Sequence, residues 1–277
     1  MVWRFGFELE FTGLHRQDVA KLMMNYFGAS HYESVLSTVH DDPYFYYVVR
    51  DAQKRRWKVV RDRSITSAVY ADKAPSDHLG VVSLTDQGVI LFDDNDYKAE
   101  LVTPALTLDD LPVLLGLVME IRQSGGIVNH TTGIHIHVDA NDDLGYMLGL
   151  LSRFAANQDA ILSYFKTEVY RREKYCKPFP PEAVQDFTTL HGNIYTVPDL
   201  LAVYRAVLRH GVTEDNPHPE RYYALNYHSV EKHNTVEFRF FNSTLESSEV
   251  QHIVEWIYAF TALGELHLPD QDLLVAM

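Results

Sequence analysis

A single cysteine, Cys176, stands in 277 residues, so neither a disulfide framework nor a thiolate metal site can be built within the chain. Positive charge is scarce as well. Lys and Arg number 24 against 38 Asp and Glu, a formal charge of −14, which argues against a general nucleic-acid binder with a basic stripe. The deficit leaves room for a phosphate-bearing substrate, because metal ions can supply positive charge locally. No apolar run approaches the ~20 residues that span a bilayer. The opening MVWRFGFELEF reads as a strand rather than a charged segment followed by an apolar one, so no secretory signal is expected. A cytoplasmic protein without membrane partners is the expectation. A GxxxxGKS/T loop and a glycine-rich dinucleotide fingerprint are also missing, so any nucleotide site must be of another kind.

What is present is a recurring strand pattern. Side chains two apart on a strand share a face. In NTVEFRFFNSTL, Glu237 and Arg239 therefore point one way and Val236, Phe238 and Phe240 the other. Alone, that is equally an ion pair. FGFELEF repeats the pattern with Glu8 and Glu10 against Phe7, Leu9 and Phe11, and TGIHIHVD repeats it with His135 and His137 against Ile134, Ile136 and Val138. With Glu100 in AELVTP, these strands predict a sheet whose concave face is lined by Glu and His. Burying unpaired carboxylates is costly, and Arg239 offsets one charge at most. A divalent cation is the natural counterweight, and a carboxylate-rich set with few imidazoles favours Mg²⁺ or Mn²⁺ over Zn²⁺.

Between these strands the pattern alternates with helices. HRQDVAKLMMNYFG reads as a helix stopped by Gly28, and the stretch from Thr107 to Gly126 as another with Pro112 near its start. YFYYVVR and WKVVRDRSI read as strands; in the second, Asp62 and Ser64 either continue onto the concave face or Asp62 starts a turn. ADKAPSDHLG is turn-like, GVILF a strand and DDNDY a solvated acidic loop. NDDLGYMLGLLSRFAANQDAILSYF is one long or two short helices with a core-facing stripe. Five basic residues from Lys166 to Lys177, followed by Pro178, Pro180 and Pro181, suggest either a substrate-covering segment or a solvated face. PDLLAVYRAVLRHG is helical. ERYYALNYHSVEKHNTVEFRFFNSTL reads as two strands joined by a turn at residues 231–234, and a final helix carries Val250, Ile253, Val254, Ile257 and Phe260 inward. The fold class expected is α+β, a curved, largely antiparallel sheet with helices on its outer face, and 1–277 as a single catalytic domain.

FELE, Asp62 with Ser64, ELVTP, HIH, RYYALNY and TVEFRFFNSTL occur in an order that resembles the amidoligase family of the carboxylate-amine ligase superfamily, relatives of glutamine synthetase and the glutamate-cysteine ligases. The resemblance runs from residue 5 to about residue 260. It implies an ATP-dependent ligase that forms an amide through an acyl phosphate, with ATP and two or more Mg²⁺ or Mn²⁺ ions. By the motif match, Glu8, Glu10, Glu100 and Glu237 are metal ligands together with His135 or His137, His135 being preferred. Arg239 and Arg221 face the transferred phosphoryl group, and Asp62, Ser64 and Asn226 are substrate contacts. The partners implied are a small-molecule or peptide carboxylate and an amine, drawn from amino acids, peptides, cell-wall peptides or protein side chains; a homo-oligomer is left open. The segment between Ser64 and Glu100 is longer than the family pattern suggests. Two other readings use the same residues, a metal-dependent hydrolase and a ligase-like protein that binds without turnover.

Overall fold

The computed structural model describes residues 2–38, 42–70, 83–84, 88–189, 194–208 and 218–266. ADKAPSDHLG lies outside them. By its contacts the chain divides into two compact units, one of Gly6–Ile134 with Ser243–Ile253 and one of Met1–Phe5, His135–Asn242 and Val254–Met277. The architecture is α+β with an antiparallel sheet of eight strands.

The first unit holds the strand run β1-β8-β4-β3-β2 of that sheet, where β1 is Phe5–Phe11, β2 Glu33–Ser37, β3 Tyr44–Arg50, β4 Arg56–Val60 and β8 Ala99–Val102. A smaller sheet orders β5 (Ser67–Tyr70), β7 (Val89–Phe92) and β6 (Ser83–Leu84) as β5-β7-β6. The alternation predicted for β1 is met: Phe7, Leu9 and Phe11 are fully buried, as are their same-face partners Ala99 and Leu101 on β8 and Trp57 and Val59 on β4. Helix α1 (Arg16–Phe27) sets Phe27 5.0 Å from the Trp57 ring and ends at Gly28, whose φ of 63° is the left-handed cap that glycine accepts without strain. Helix α2 (Leu111–Ser124) carries Pro112 in its first turn, and its preceding 3₁₀ turn is fastened where Asp110 accepts the Thr107 N–H at 2.9 Å. The Tyr26 hydroxyl on α1 donates to the Val113 carbonyl of α2 at 3.0 Å.

The second unit holds the run β10-β11-β9, where β9 is Gly133–Asp139, β10 Leu225–Asn226 and β11 Thr235–Asn242. Its helices are α3 (Leu144–Tyr164), α4 (Val169–Lys174), α5 (Pro181–Thr189) and α6 (Val197–Leu208), with the short α7 (Ser229–His233) before β11; α8 (Ser247–Tyr258) follows β11, its residues through Ile253 belonging to the first unit. Val236, Phe238 and Phe240 form the buried face of β11, and Phe154 of α3 lies 5.7 Å from the Phe240 ring. Each such side chain contributes roughly 1.5–3 kcal/mol of burial, which is what holds the opposite, polar face of the strand in register.

One sequence reading changes and three left open are narrowed. β4 ends at Val60, so strand alternation does not extend to Asp62 and Ser64; Asp62 Oδ1 instead accepts the Ser64 N–H at 2.6 Å in a turn. The strand expected before β11 shrinks to the two residues of β10, because residues 219–222 form a 3₁₀ turn and α7 fills the expected loop, stopped by Asn234 at φ 55°. The stretch read as one long or two short helices is a single helix, α3. The basic run from Lys166 is ordered as α4, and it is not simply a solvated face: Arg171 is 1% exposed and donates to the Arg239 carbonyl at 2.9 Å.

Candidate active site

In the first unit the antiparallel register sets Glu10 directly opposite Glu100 and Glu8 opposite Val102. Opposed residues share a face, so the three carboxylates lie on the polar side of β1 and β8, away from Phe7, Leu9 and Leu101. Glu10 is 3% exposed; its Oε2 accepts the Gly133 N–H at 2.7 Å, and its carbonyl accepts the Ser243 hydroxyl at 2.5 Å. Like charges facing one another across a ladder are destabilising, so this face gains from a cation. β4 continues the rows, with Val60 opposite Glu100 and Lys58 opposite Val102. Lys58 was readable as a residue of this face from strand alternation, but its place beside the carboxylate rows depends on the β4–β8 pairing, which the sequence does not give.

In the second unit Glu237 is surrounded by donors. Asn226, its register partner on β10, donates from Nδ2 to Oε2 at 2.6 Å. Arg239 NH1 forms a short ion pair with Oε1, and the Arg239 Nε donates to the Tyr175 carbonyl at 3.2 Å. The same Oε1 lies 3.5 Å from His135 Nδ1 and 3.8 Å from His137 Nε2. Glu237, Asn226 and His135 are each 4% exposed. His137 is oriented from behind, its Nδ1 2.9 Å from the Thr235 hydroxyl and 3.3 Å from that of Ser229, and those hydroxyls are themselves 2.9 Å apart. Thr235, Ser229 and the Tyr175 carbonyl carry no sequence motif that would have marked them.

A family model described as "Putative amidoligase enzyme" matches residues 1–261. The chain belongs to the amidoligase family. No curated protein matches it.

The residues that the family resemblance named as ligands fall into two sets, Glu8, Glu10 and Glu100 in the first unit and His135, His137 and Glu237 in the second. Within the first set Glu10 faces Glu100, and within the second Glu237 meets both imidazoles. Arg239 joins Glu237 directly. Arg221 does not share that contact: it is exposed, with its guanidinium 5.3 Å from the Tyr222 ring. Asn226 is tied to Glu237, whereas Asp62 and Ser64 occupy their turn after β4. The donor chemistry, carboxylate oxygens with an imidazole and no thiolate, suits a hard divalent cation such as Mg²⁺ or Mn²⁺. Among the described residues no helix is long and apolar enough to cross a membrane.

Proposed function

We propose that the chain is an ATP-dependent carboxylate-amine ligase and that 1–277 serves as one catalytic domain. The observation that carries this reading is Glu237, a buried carboxylate held by Asn226 and Arg239 and flanked by two imidazoles, in a chain of the amidoligase family. Amide formation from a free carboxylate needs one carboxylate oxygen made into a leaving group. Transfer of the ATP γ-phosphoryl to that oxygen breaks the bond between the β,γ-bridging oxygen and the γ-phosphorus, releases ADP and leaves an acyl phosphate. An amine then attacks the acyl carbon, and phosphate departs as the amide forms and the nitrogen loses a proton.

Catalysis of such a step is positioning and electrostatics rather than covalent chemistry by the protein. Glu8, Glu10, Glu100, Glu237 and His135 would hold Mg²⁺ or Mn²⁺, with His137 the alternative imidazole. Bound ions would neutralise phosphate charge. Arg239 is fitted to stabilise the equatorial oxygens of the transferred group, because Glu237 and the Tyr175 carbonyl fix its guanidinium plane before substrate arrives. Asn226 holds the second oxygen of Glu237 and keeps that carboxylate from turning. Arg221, Asp62 and Ser64 are assigned to the substrate side, toward phosphoryl and acceptor groups. The acceptors are expected to be an amino acid, a peptide, a cell-wall peptide or a protein side chain.

The test is calorimetric titration of ATP into the protein with and without Mg²⁺. Saturable binding that needs the metal and is lost in Glu237→Gln supports the ligase and directs a screen of carboxylate and amine pairs for ADP release. Failure to bind ATP, in a protein that still takes up Mn²⁺, overturns it in favour of metal-dependent hydrolysis.

A further inference from the structure

A second group of ligand atoms lies within the second unit, at residues the ligase reading does not use. His218 precedes the 3₁₀ turn Pro219–Tyr222, Glu220 sits inside that turn, and His228 stands between β10 and α7. One ligand atom from each can be chosen so that all three lie within 4.8 Å of one another. Glu220 Oε1 is 3.2 Å from Nδ1 of His218 and 3.2 Å from Nδ1 of His228, and the two rings are 4.6 Å apart. Two donors bonded at ~2.0 Å to one tetrahedral ion are separated by about 3.3 Å, so the spacing matches a shared ion.

Burial makes the arrangement more than a surface cluster. Glu220 is 3% exposed and His228 7%, while the His218 side chain is half-exposed. Neither ring nitrogen of His228 has a hydrogen-bond partner among the described residues, even though Glu220 is near. A buried imidazole with both nitrogens unsatisfied beside a buried carboxylate is costly unless something joins them. The backbone is braced for the purpose. The buried Tyr204 hydroxyl contacts the carbonyls of Glu220 at 3.3 Å and Leu225 at 2.7 Å, and the His228 N–H donates to Asn226 Oδ1 at 2.9 Å.

We infer that His218, Glu220 and His228 form a separate site for a divalent transition metal of the Zn²⁺ kind. Two imidazoles and one carboxylate without thiolate match the three-ligand sets that hold Zn²⁺ with a fourth position open, and the half-exposed His218 puts the open side toward solvent. An ion bound there would cross-link both ends of the segment that carries Asn226, the side chain bonded to Glu237. Its role is to fix that segment.

The experiment uses the full chain, stripped with chelator and titrated with Zn²⁺ alone by calorimetry, followed by Co²⁺ absorption spectroscopy. One tight equivalent of Zn²⁺ per chain is expected, retained in Glu237→Gln, weakened at least tenfold in the half-exposed His218→Ala and further in Glu220→Gln. Co²⁺ should give ligand-field bands of a four- or five-coordinate ion that vanish in His218→Ala. Far-UV circular dichroism shows which variants fold, and His218→Ala decides the matter if the buried variants do not. Zn²⁺ affinity equal to wild type in folded His218→Ala, or no Zn²⁺ uptake by the wild type, overturns the assignment.

Discussion

The two units set their carboxylates among different neighbours. Around Glu237 the protein places Arg239 as counter-charge, the Asn226 amide as donor and two imidazoles alongside. Across β1 and β8 the register sets Glu10 against Glu100, which share a sign. A carboxylate already paired is held in one orientation and can hold an arginine in turn. On the β1–β8 face, Glu10 accepts the Gly133 N–H, and Lys58 of β4 lies on the same face. Under the proposed function both sets would hold metal, the Glu237 set with its geometry already fixed by Arg239 and Asn226.

The contrast breaks most visibly at Arg239. Arg239→Ala leaves Glu237 without its cation, and ADP release should fall by about 100- to 1,000-fold, the usual cost of removing one preorganised group from a transition state; single-turnover assays on protein of unchanged circular dichroism measure it. Next comes the support behind it. Because Arg171 is buried and donates to the Arg239 carbonyl, Arg171→Glu should cost about 3 kcal/mol or more in chemical denaturation. Arg172→Glu, on the next residue of α4, should cost far less; equal losses would mean that the run acts through net charge.

Ligand dependence sharpens the other side. Mg²⁺ or Mn²⁺ at about 100 times its dissociation constant should stabilise the wild type by about 2.7 kcal/mol. Glu100→Gln, which removes one of the proposed ligands, should lose most of that gain. Thermal melts with and without the ion decide this. A smaller effect comes from Asp51, which like Glu237 is paired with an arginine. Burial pushes its pKa up, but hydrogen bonds from Trp57 and from the side chain and backbone of Arg55 outweigh burial and hold it below the ordinary carboxylate range. A depressed folded-state pKa contributes stability above the unfolded value and loses it as pH falls through the folded one. Asp51→Asn should therefore cost about 1–2 kcal/mol at neutral pH, with the gap to wild type closing in acid.

The polar and apolar faces of β1, β9 and β11 were legible because strand geometry has a period of two and the sequence honours it over five or more residues. Helices α1, α2, α3, α6 and α8 were legible from their stripes and their terminal glycines or prolines. What was not legible depended on pairing. Asp62 and Ser64 continue the alternation of β4 in sequence, yet the ladder stops at Val60 and the Asp62 side chain captures the Ser64 N–H. The basic run concealed α4 because Arg171 looks like any surface arginine until its acceptor, a backbone carbonyl on β11, is known. The Glu237 and Arg239 pair was visible in advance, but the Tyr175 carbonyl that holds Arg239 and the Thr235 and Ser229 hydroxyls that orient His137 were not.

Neither unit is a continuous stretch of chain, and that bears on synthesis. The first unit takes in Ser243–Ile253, whose Ser243 bonds the Glu10 and Thr132 carbonyls, whose Glu246 pairs with Arg122 and whose Ser247 bonds the Leu115 carbonyl. A nascent chain emerging from the ribosome therefore has the bulk of this unit in hand long before the piece that closes it. A chain halted before Ser243 lacks the residues that make those bonds.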